Sequence, residues 1–129
     1  MKKVESDLSG RIIGAAIRVH RELGPGFLES VYEEALCIEL AASGLEFTRQ
    51  MPVEINYQGK KAGEHRLDLL VGEGVVVELK AVTELHDIFF ATMRSYLKAA
   101  NGSLGLLLNF AATTLQVRRV GREWHSRVE

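Results

Sequence analysis

At 129 residues, of which 47% are hydrophobic, the chain is long enough for one domain with a substantial buried core. The formal net charge of -1 excludes the overall positive field of a strong non-specific nucleic-acid binder, so any such contact must come from a local patch. The single cysteine, Cys37, cannot form an internal disulfide and lies in an apolar run typical of a packed helix in a reducing compartment. Apolar runs are too short to span a bilayer, so we expect a single cytoplasmic domain over residues 1–129 without membrane contact.

The first predicted element is a helix that ends at Gly24-Pro25. Asp7 or Ser9 can cap its beginning, and it runs to about Leu23. Helical spacing places four apolar residues on one stripe: Ile12, Ala16, Val19 and Leu23. This stripe is expected to face the core.

A second helix is predicted from about Leu28 to Ala42. Glu29 and Glu33 border the side of this helix that also holds Tyr32. These acids have two interpretations, because carboxylates in the first turn are favoured by the helix dipole and also suit a functional site. The sequence leaves both open.

Three strands follow in a pattern of hairpins. Phe47–Tyr57 is rich in β-formers, and Pro52 within it indicates an edge strand or a bulge. The second strand, Ala62–Val71, is expected to place Leu67, Leu69 and Val71 on one face and Arg66, Asp68 and Leu70 on the other. A tight turn at 72–74 leads to Val75–Val82, whose apolar character on both faces is typical of a covered strand.

The next predicted element is a helix that begins at Thr83 or Glu84 and ends at Ala100, before the stop signal Asn101-Gly102. Its apolar stripe comprises Leu85, Phe89, Met93, Tyr96 and Leu97. Leu104–Phe110 is a continuous apolar run of strand length. Because it follows a strand and a helix, a crossover should lay it parallel to the third strand.

Leu115–Val120 is predicted as a last edge strand, and the chain beyond it is basic. The local positive cluster comprises Arg118, Arg119, Arg122 and Arg127, together with Trp124 and His125. Charge runs usually form a solvated face, so we interpret this cluster as a solvated edge with Trp124 packed on the core.

Two acids and a lysine stand out in the hairpin of the second and third strands. Glu78 and Lys80 share a face with Val76, and burying such charges without a purpose costs several kcal/mol per ion. The hairpin should bring Asp68 close to Glu78, and two adjacent carboxylates repel unless a cation or proton lies between them. The competing interpretation is an exposed E-x-K ion pair, which would contribute under about 1 kcal/mol.

Such a group of residues has the chemistry that hydrolysis of a phosphodiester requires. Asp68 and Glu78 are suited to ligate Mg²⁺, which neutralises phosphate charge and activates water. Lys80 can orient the water or stabilise developing negative charge, and the carbonyl of Leu79 can complete the coordination. Glu29 can add a further carboxylate from the second helix.

The histidines offer a competing type of metal site. They are scattered over different elements without zinc-ligand spacing, at His20, His65, His86 and His125. His65 precedes Asp68 by three residues and can flank the site, although a satisfied structural histidine also explains it.

The order of elements resembles that of the PD-(D/E)XK nuclease superfamily, with Asp68, Glu78 and Lys80 on its motif positions. More narrowly, residues 26–32, GFLESVY, match the GxxExxY signature of the bacterial GxxExxY proteins. Further matching blocks extend the resemblance nearly to Phe110: IIGAAIRVHRELGPGFLESVYEEAL, GEHRLDLLV, VVVELKAV, YLK and GLLLNF.

This resemblance implies an α/β fold, with a restriction-endonuclease-like αβββαβ core in which helices flank a mixed central sheet. It also places Glu29 with the hairpin residues on the family's catalytic positions. Related proteins usually carry a glutamine four residues before the tyrosine of the YLK block, whereas Thr92 precedes Tyr96 here. The substitution affects the expected positioning of substrate, for which the candidates are Tyr32, Arg66, Thr92 and Tyr96.

The sequence therefore predicts a nuclease that uses Mg²⁺ or Mn²⁺ to hydrolyse phosphodiester bonds in DNA or RNA. Asp68 and Glu78 are the predicted metal ligands, and Lys80 and Glu29 the predicted catalytic residues. The alternative is a non-catalytic module of the same fold that binds nucleic acid or a protein. Because a domain of this size reaches little of a duplex, a homodimer is expected, through the first helix or through Phe89 and Phe90 if these are exposed.

Overall fold

The computed structural model describes the backbone of residues 2–122 and the side chains of residues 7–122. The helices are α1 (Lys2–Leu23), α2 (Glu29–Ala42) and α3 (Asp87–Ala100). The strands are β1 (Phe47–Tyr57), β2 (Lys60–Val71), β3 (Val75–Lys80), β4 (Leu104–Asn109) and β5 (Gln116–Gly121). From α2 to β4 the order is the αβββαβ core that the sequence predicts. Trp124, His125 and Arg127, which the sequence analysis placed in a basic tail, lie outside the described residues.

The five strands form one mixed sheet in the order β1-β2-β3-β4-β5. β3 and β4 pair in parallel at its centre, as predicted, and the other neighbours are antiparallel. The central strands are buried on both faces, which explains their nearly continuous apolar sequence. β1 is an edge strand, so Pro52 removes no hydrogen bond from the sheet interior.

Helices cover both faces of the sheet. α1 and α2 pack with one face in a core cluster that includes Val75, Val77 and Leu79, and α3 covers the other face in a cluster that includes Val76. Since side chains alternate along a strand, Glu78 shares the α3 face with Val76. Cys37 is buried in the first cluster, as its apolar surroundings predict.

The face alternation of β2 differs from the prediction. Leu69 and Val71 pack in the cluster under α1 and α2, whereas Leu67 packs in the cluster under α3. Residues two apart on a regular strand share a face, so the backbone must turn between 67 and 69. The neighbouring strand shows the same irregularity, because Gln50 has a φ of 49° and no partner in the β1–β2 register. The outer half of this hairpin therefore folds toward α3.

The ends of two helices also differ from the prediction. α1 begins at Lys2, because good helix-forming residues precede the expected caps, and Ser9 is buried within it. α3 begins at Asp87 after an N-cap at His86, because the chain from 81 to 86 first leaves the sheet in an irregular segment. Its end at Asn101, with a φ of 55°, agrees with the predicted stop signal.

Phe89 and Phe90 are partly buried against the second cluster, so they form no freely exposed patch. Among the described residues, no helix combines the length and the apolar character that crossing a bilayer requires.

Candidate metal centre

Asp68 and Glu78 lie together where β2 and β3 separate. The ladder between the two strands ends at the pair Leu69 and Val77, and Asp68 and Glu78 are the next residues on each strand. The backbone N–H of Asp68 donates to Oε2 of Glu78 at 3.0 Å, and the N–H of Leu79 donates to Oδ2 of Asp68 at 2.9 Å. Carboxylates thus replace backbone carbonyls in holding the strands together. The sequence prediction that these acids are neighbours is confirmed.

Burial determines the electrostatics of the pair. Glu78 is only 6% exposed, and burial together with the charge of Asp68 raises the pKa of Glu78 to about 8. Burial likewise raises the pKa of Asp68, while the hydrogen bond from Leu79 acts in the opposite direction. Two acids with raised pKa values at one place lack sufficient positive charge around them. A cation would relieve their repulsion.

Lys80 supplies part of that positive charge. It follows Glu78 at spacing i+2 on the α3 face, and its ammonium Nζ lies 4.6 Å from the centroid of the Phe89 ring. Its charge lowers the pKa of both Asp68 and Glu78, but less than burial raises them. The face of the aromatic ring attracts the ammonium group by a cation–π interaction and does not compete for its hydrogen bonds.

Glu29 reaches the same end of β3 from the beginning of α2. Its Oε2 accepts a hydrogen bond of 3.1 Å from the N–H of Ala81, the residue after Lys80. Its negative charge contributes to the raised pKa of Asp68 and of Glu78. Glu29 is also the acid in the first turn of its helix, so the two interpretations left open by the sequence are compatible.

Glu33 is a neighbour of the centre for which the sequence left two interpretations open, and it is not among the predicted site residues. It lies one turn after Glu29, and its charge contributes to the raised pKa of Asp68. The side chains of Arg49 and Gln50 donate to its carboxylate at 3.1–3.3 Å. The i, i+4 spacing of Glu29 and Glu33 indicates that both lie on one side of α2. It does not indicate that Arg49 and Gln50 on β1 bind the Glu33 carboxylate.

The donor set fits magnesium. Oδ1 of Asp68 and Oε1 of Glu78 accept no hydrogen bond from any residue that the structure describes, so both remain available to an ion. Within residues 7–122, no group of three or more His, Cys, Asp or Glu side chains forms a complete cage. Mg²⁺ is usually held by one or two carboxylates and keeps several waters, so two acids are an adequate set.

His65 and Tyr96 form a stacked pair near the acids. Their ring centroids are 3.9 Å apart with an interplanar angle of 15°, and the Tyr96 hydroxyl lies 3.1 Å from Nδ1 of His65. Burial and the charge of Lys80 lower the pKa of His65, and burial with the charges of Glu78 and Asp68 raises the pKa of Tyr96. These mutual effects place the pair beside the centre. Among the described side chains, Nε2 of His65 is the buried polar atom without a hydrogen-bond partner.

Three further residues from the sequence analysis have other immediate contacts. The buried Tyr32 donates its hydroxyl hydrogen to the carbonyl of Gly24 and accepts a hydrogen bond of 3.2 Å from the N–H of Phe27. Arg66 donates to the carbonyl of Gln50 at 3.2 Å. Thr92 lies one helical turn before Tyr96 on α3. The structure thus brings together Glu29, Asp68, Glu78 and Lys80, with Tyr96 close by.

A mixed sheet between two helical layers, with paired acids and a lysine at the end of its central parallel strand, defines a protein of the restriction-endonuclease-like class. The chain belongs to the PD-(D/E)XK nuclease superfamily, whose family model matches residues 6–120.

Solved structures share this fold at low sequence identity. SSO0001 is 16% identical, with a TM-score of 0.58 over 75% of this chain and 52% of that one, so the chain spans about half the length of SSO0001. An alkaline exonuclease, LHK-Exo from Laribacter hongkongensis, is 13% identical, with a TM-score of 0.54 over 88% of this chain and 70% of that one. No curated protein matches the chain by sequence.

Proposed function

We propose that the protein hydrolyses phosphodiester bonds in nucleic acid with the help of Mg²⁺ or Mn²⁺. The observation that carries this proposal is a pair of carboxylates, the half-buried Asp68 and the buried Glu78, each with one oxygen that accepts no hydrogen bond from the described residues, beside the ammonium group of Lys80. Membership of a nuclease superfamily supports it. A bound divalent cation would supply charge neutralisation and an activated water at this place.

The residues of the chain have distinct tasks in this proposal. Asp68 and Glu78 would hold the cation, because one oxygen of each carboxylate accepts from a backbone N–H group and the other does not. Lys80 stabilises the negative charge that develops on the phosphate, and the ring of Phe89 keeps its ammonium group in place. Glu29 fixes the chain after Lys80 by its bond to Ala81.

Substrate positioning is assigned to the residues around His65 and Tyr96. Tyr96 holds the imidazole of His65 through its hydroxyl, so the two rings form one fixed unit beside the acids. Thr92 precedes Tyr96 by one turn and Arg66 follows His65 on β2, so both are further candidates. Tyr32 contributes indirectly, because it stabilises the loop that leads to Glu29. The narrower GxxExxY assignment remains part of this proposal, on the match of residues 26–32.

A cleavage assay tests the proposal. Labelled single-stranded, duplex and branched DNA and RNA are incubated with Mg²⁺ or Mn²⁺ and the wild type, Glu78→Gln or Lys80→Ala. We expect the wild type to cleave at least one substrate and each variant to lose at least about a hundredfold, as for the loss of a charge-stabilising group. Glu64→Gln and Lys61→Ala are matched controls, because this exposed ion pair lies on the outer part of β2. Equal activity of all variants would mean a contaminating nuclease.

The second candidate function is a non-catalytic nucleic-acid- or protein-binding module of the same fold. The observation that favours it is Thr92, which stands one turn before Tyr96 where the resembled family usually has glutamine. In either case the wild type leaves every substrate intact with either metal, and a nucleic-acid-binding module also binds the labelled oligonucleotides when binding is measured by anisotropy. A homodimer in the cytoplasm also remains a proposal, and sedimentation equilibrium of the full chain tests the dimer.

A further inference from the structure

A cavity of about 230 Å³ lies beside helix α3, away from the acids. It is lined by Ala91, Arg94, Ser95, Lys98 and Arg122. Three of these five residues are cationic and none is acidic. Such a lining repels cations and attracts anions.

No acid among residues 7–122 forms an ion pair with the cations of this pocket. Within residues 7–122, the ion pairs join other residues, on α1, α2, β1 and β2, and none involves Arg94, Lys98 or Arg122. Arg94 and Lys98 stand at i and i+4 on α3, where two like charges repel and lower helix stability. Three cations around one cavity, with no acid of the described residues paired to them, form a favourable environment for an anion.

The pocket lies on the same helix as part of the metal centre. Phe89, which supports Lys80, is near the beginning of α3, and Lys98 follows it by nine residues. At about 1.5 Å per residue the separation is about 14 Å along the helix. In a duplex this distance corresponds to about four phosphates of one strand.

Arg118 lies on β5, at the level of the metal centre and four residues before Arg122 of the pocket. In the register of the sheet, Leu107 is the partner of both Glu78 on β3 and Arg118 on β5, so Arg118 is level with Glu78 two strands away. Arg118 has the same strand parity as Val120, which packs in the cluster under α3. Exposed cations therefore extend along β5 from Arg118, which is level with Glu78, to Arg122 in the pocket.

We propose that Arg94, Lys98 and Arg122 form a binding pocket for a backbone phosphate of the nucleic acid whose scissile phosphate lies at Lys80. The inference rests on the proposed function for the identity of the ligand, and it adds a second, distant phosphate contact. Guanidinium and ammonium groups are the usual phosphate ligands of proteins, and contacts of this kind fix the register of a strand without reading its sequence.

Fluorescence anisotropy of labelled oligonucleotides tests the pocket. Binding is measured in EDTA, so that cleavage plays no part, for the wild type and for Arg94→Gln/Lys98→Gln. The matched control is Arg21→Gln/Lys60→Gln, which also loses two exposed positive charges but on α1 and at the start of β2. We expect the pocket variant to bind about tenfold more weakly near 0.1 M salt, with the salt slope reduced by about one per lost phosphate contact. The control should stay within about twofold of the wild type.

Two further measurements sharpen the test. Arg94→Lys should bind nearly as well as the wild type, because it retains a charge for the phosphate, and circular dichroism should show that each variant is folded. Some oligonucleotides are too short to extend about four nucleotides beyond the phosphate at Lys80, and these should bind the wild type and the pocket variant equally. Equal loss in the control variant, or unchanged binding in the pocket variant, would overturn the inference.

The outcomes separate this inference from the proposed function. If the wild type cleaves nothing but its binding depends on the pocket, the cleavage proposal fails and the pocket stands. If the wild type cleaves and the pocket variant binds normally, the cleavage proposal stands and the pocket proposal fails. Stabilisation by inorganic phosphate that is lost in the pocket variant, with normal oligonucleotide binding, would identify a small-anion site and overturn the assignment to nucleic acid.

Discussion

The carboxylates of Asp68 and Glu78 each accept a hydrogen bond from the backbone of the other's strand. Glu78 accepts from the N–H of Asp68, and Asp68 accepts from the N–H of Leu79. This exchange uses one oxygen of each carboxylate for structure and leaves the other without a hydrogen bond from the described residues. It also explains why two acids stay together although burial and mutual repulsion raise the pKa of Glu78 to about 8. The backbone holds them where a cation would be needed.

The raised pKa of Glu78 predicts how stability depends on pH in the absence of divalent metal. The pKa rises from an ordinary 4.5 to about 8 on folding, so between these values the folded protein retains a proton that the unfolded chain releases. The free energy of unfolding must therefore fall as the pH rises through this window. We expect the melting temperature in EDTA to decrease from pH 5 to pH 8.5, and to decrease less in Glu78→Gln. An identical slope in the variant would contradict the shifted pKa.

Divalent metal should stabilise the folded protein. A ligand at a hundred times its dissociation constant adds about 2.7 kcal/mol to the free energy of unfolding, because it binds the folded state alone. We expect Mg²⁺ or Mn²⁺ to raise the melting temperature of the wild type and to leave Asp68→Asn unchanged, with the largest effect above pH 8. Glu54→Gln, an exposed acid on β1, serves as the control. An equal shift in all three proteins would indicate weak surface binding of metal.

Glu29 has a structural and an electrostatic effect that two substitutions separate. Glutamine retains an oxygen for the N–H of Ala81 but removes the charge, whereas alanine removes both. We expect Glu29→Ala to lower the free energy of unfolding by about 1 kcal/mol and Glu29→Gln to leave it nearly unchanged. Both substitutions should lower the pKa of Glu78, since they remove a neighbouring negative charge. Denaturant titration and the pH dependence of melting measure the two effects.

Tyr32→Phe should affect the fold rather than substrate binding. The substitution removes the hydroxyl that bridges Gly24 and Phe27 but retains the ring that stacks on Phe110 at 4.5 Å. A lost hydrogen bond of this kind costs about 1 kcal/mol. Urea titration should show that loss, while oligonucleotide affinity, measured by anisotropy on the folded variant, should stay unchanged. A selective loss of affinity would instead support direct substrate contact by Tyr32.

The hydrogen bond between Tyr96 and His65 predicts which imidazole nitrogen carries the proton. If Tyr96 donates to Nδ1, the neutral ring is protonated at Nε2, and the lowered pKa of His65 favours the neutral ring at pH 7. We expect ¹⁵N NMR of the histidine side chains to report the Nε2–H tautomer in the wild type and a mixture in Tyr96→Phe. His86, on a separate element, is the internal reference. A protonated Nδ1 in the wild type would reverse the direction of this bond.

Much of the sheet and of the site followed from sequence pattern. The bounds of β1 agree with the prediction, and the apolar runs identified β3 and β4 as covered central strands. The period of two placed Glu78 and Lys80 on one face, and the short turn placed Asp68 opposite Glu78. These inferences depend on contacts between residues that are close along the chain, where geometry leaves few alternatives.

The long-range contacts could not be predicted in this way. Ala81 is bound by Glu29, which lies 52 residues earlier, and His65 stacks on Tyr96, which lies 31 residues later. Periodicity identifies an apolar face but not the element that covers it. The turn of β2 at Asp68 was missed for the same reason, because the outer hairpin changes face only where it meets α3.

The sequence by itself thus determined the acids, the lysine and the strands that carry them, because backbone geometry relates neighbouring residues directly. Only the tertiary structure decided how the carboxylate oxygens are divided between backbone and solvent. It also decided that Glu29 reaches the residue after β3 and that the cations of α3 share one pocket with Arg122, the residue after β5. Those relationships arise when helices dock on the sheet, and docking depends on the packing of the whole core.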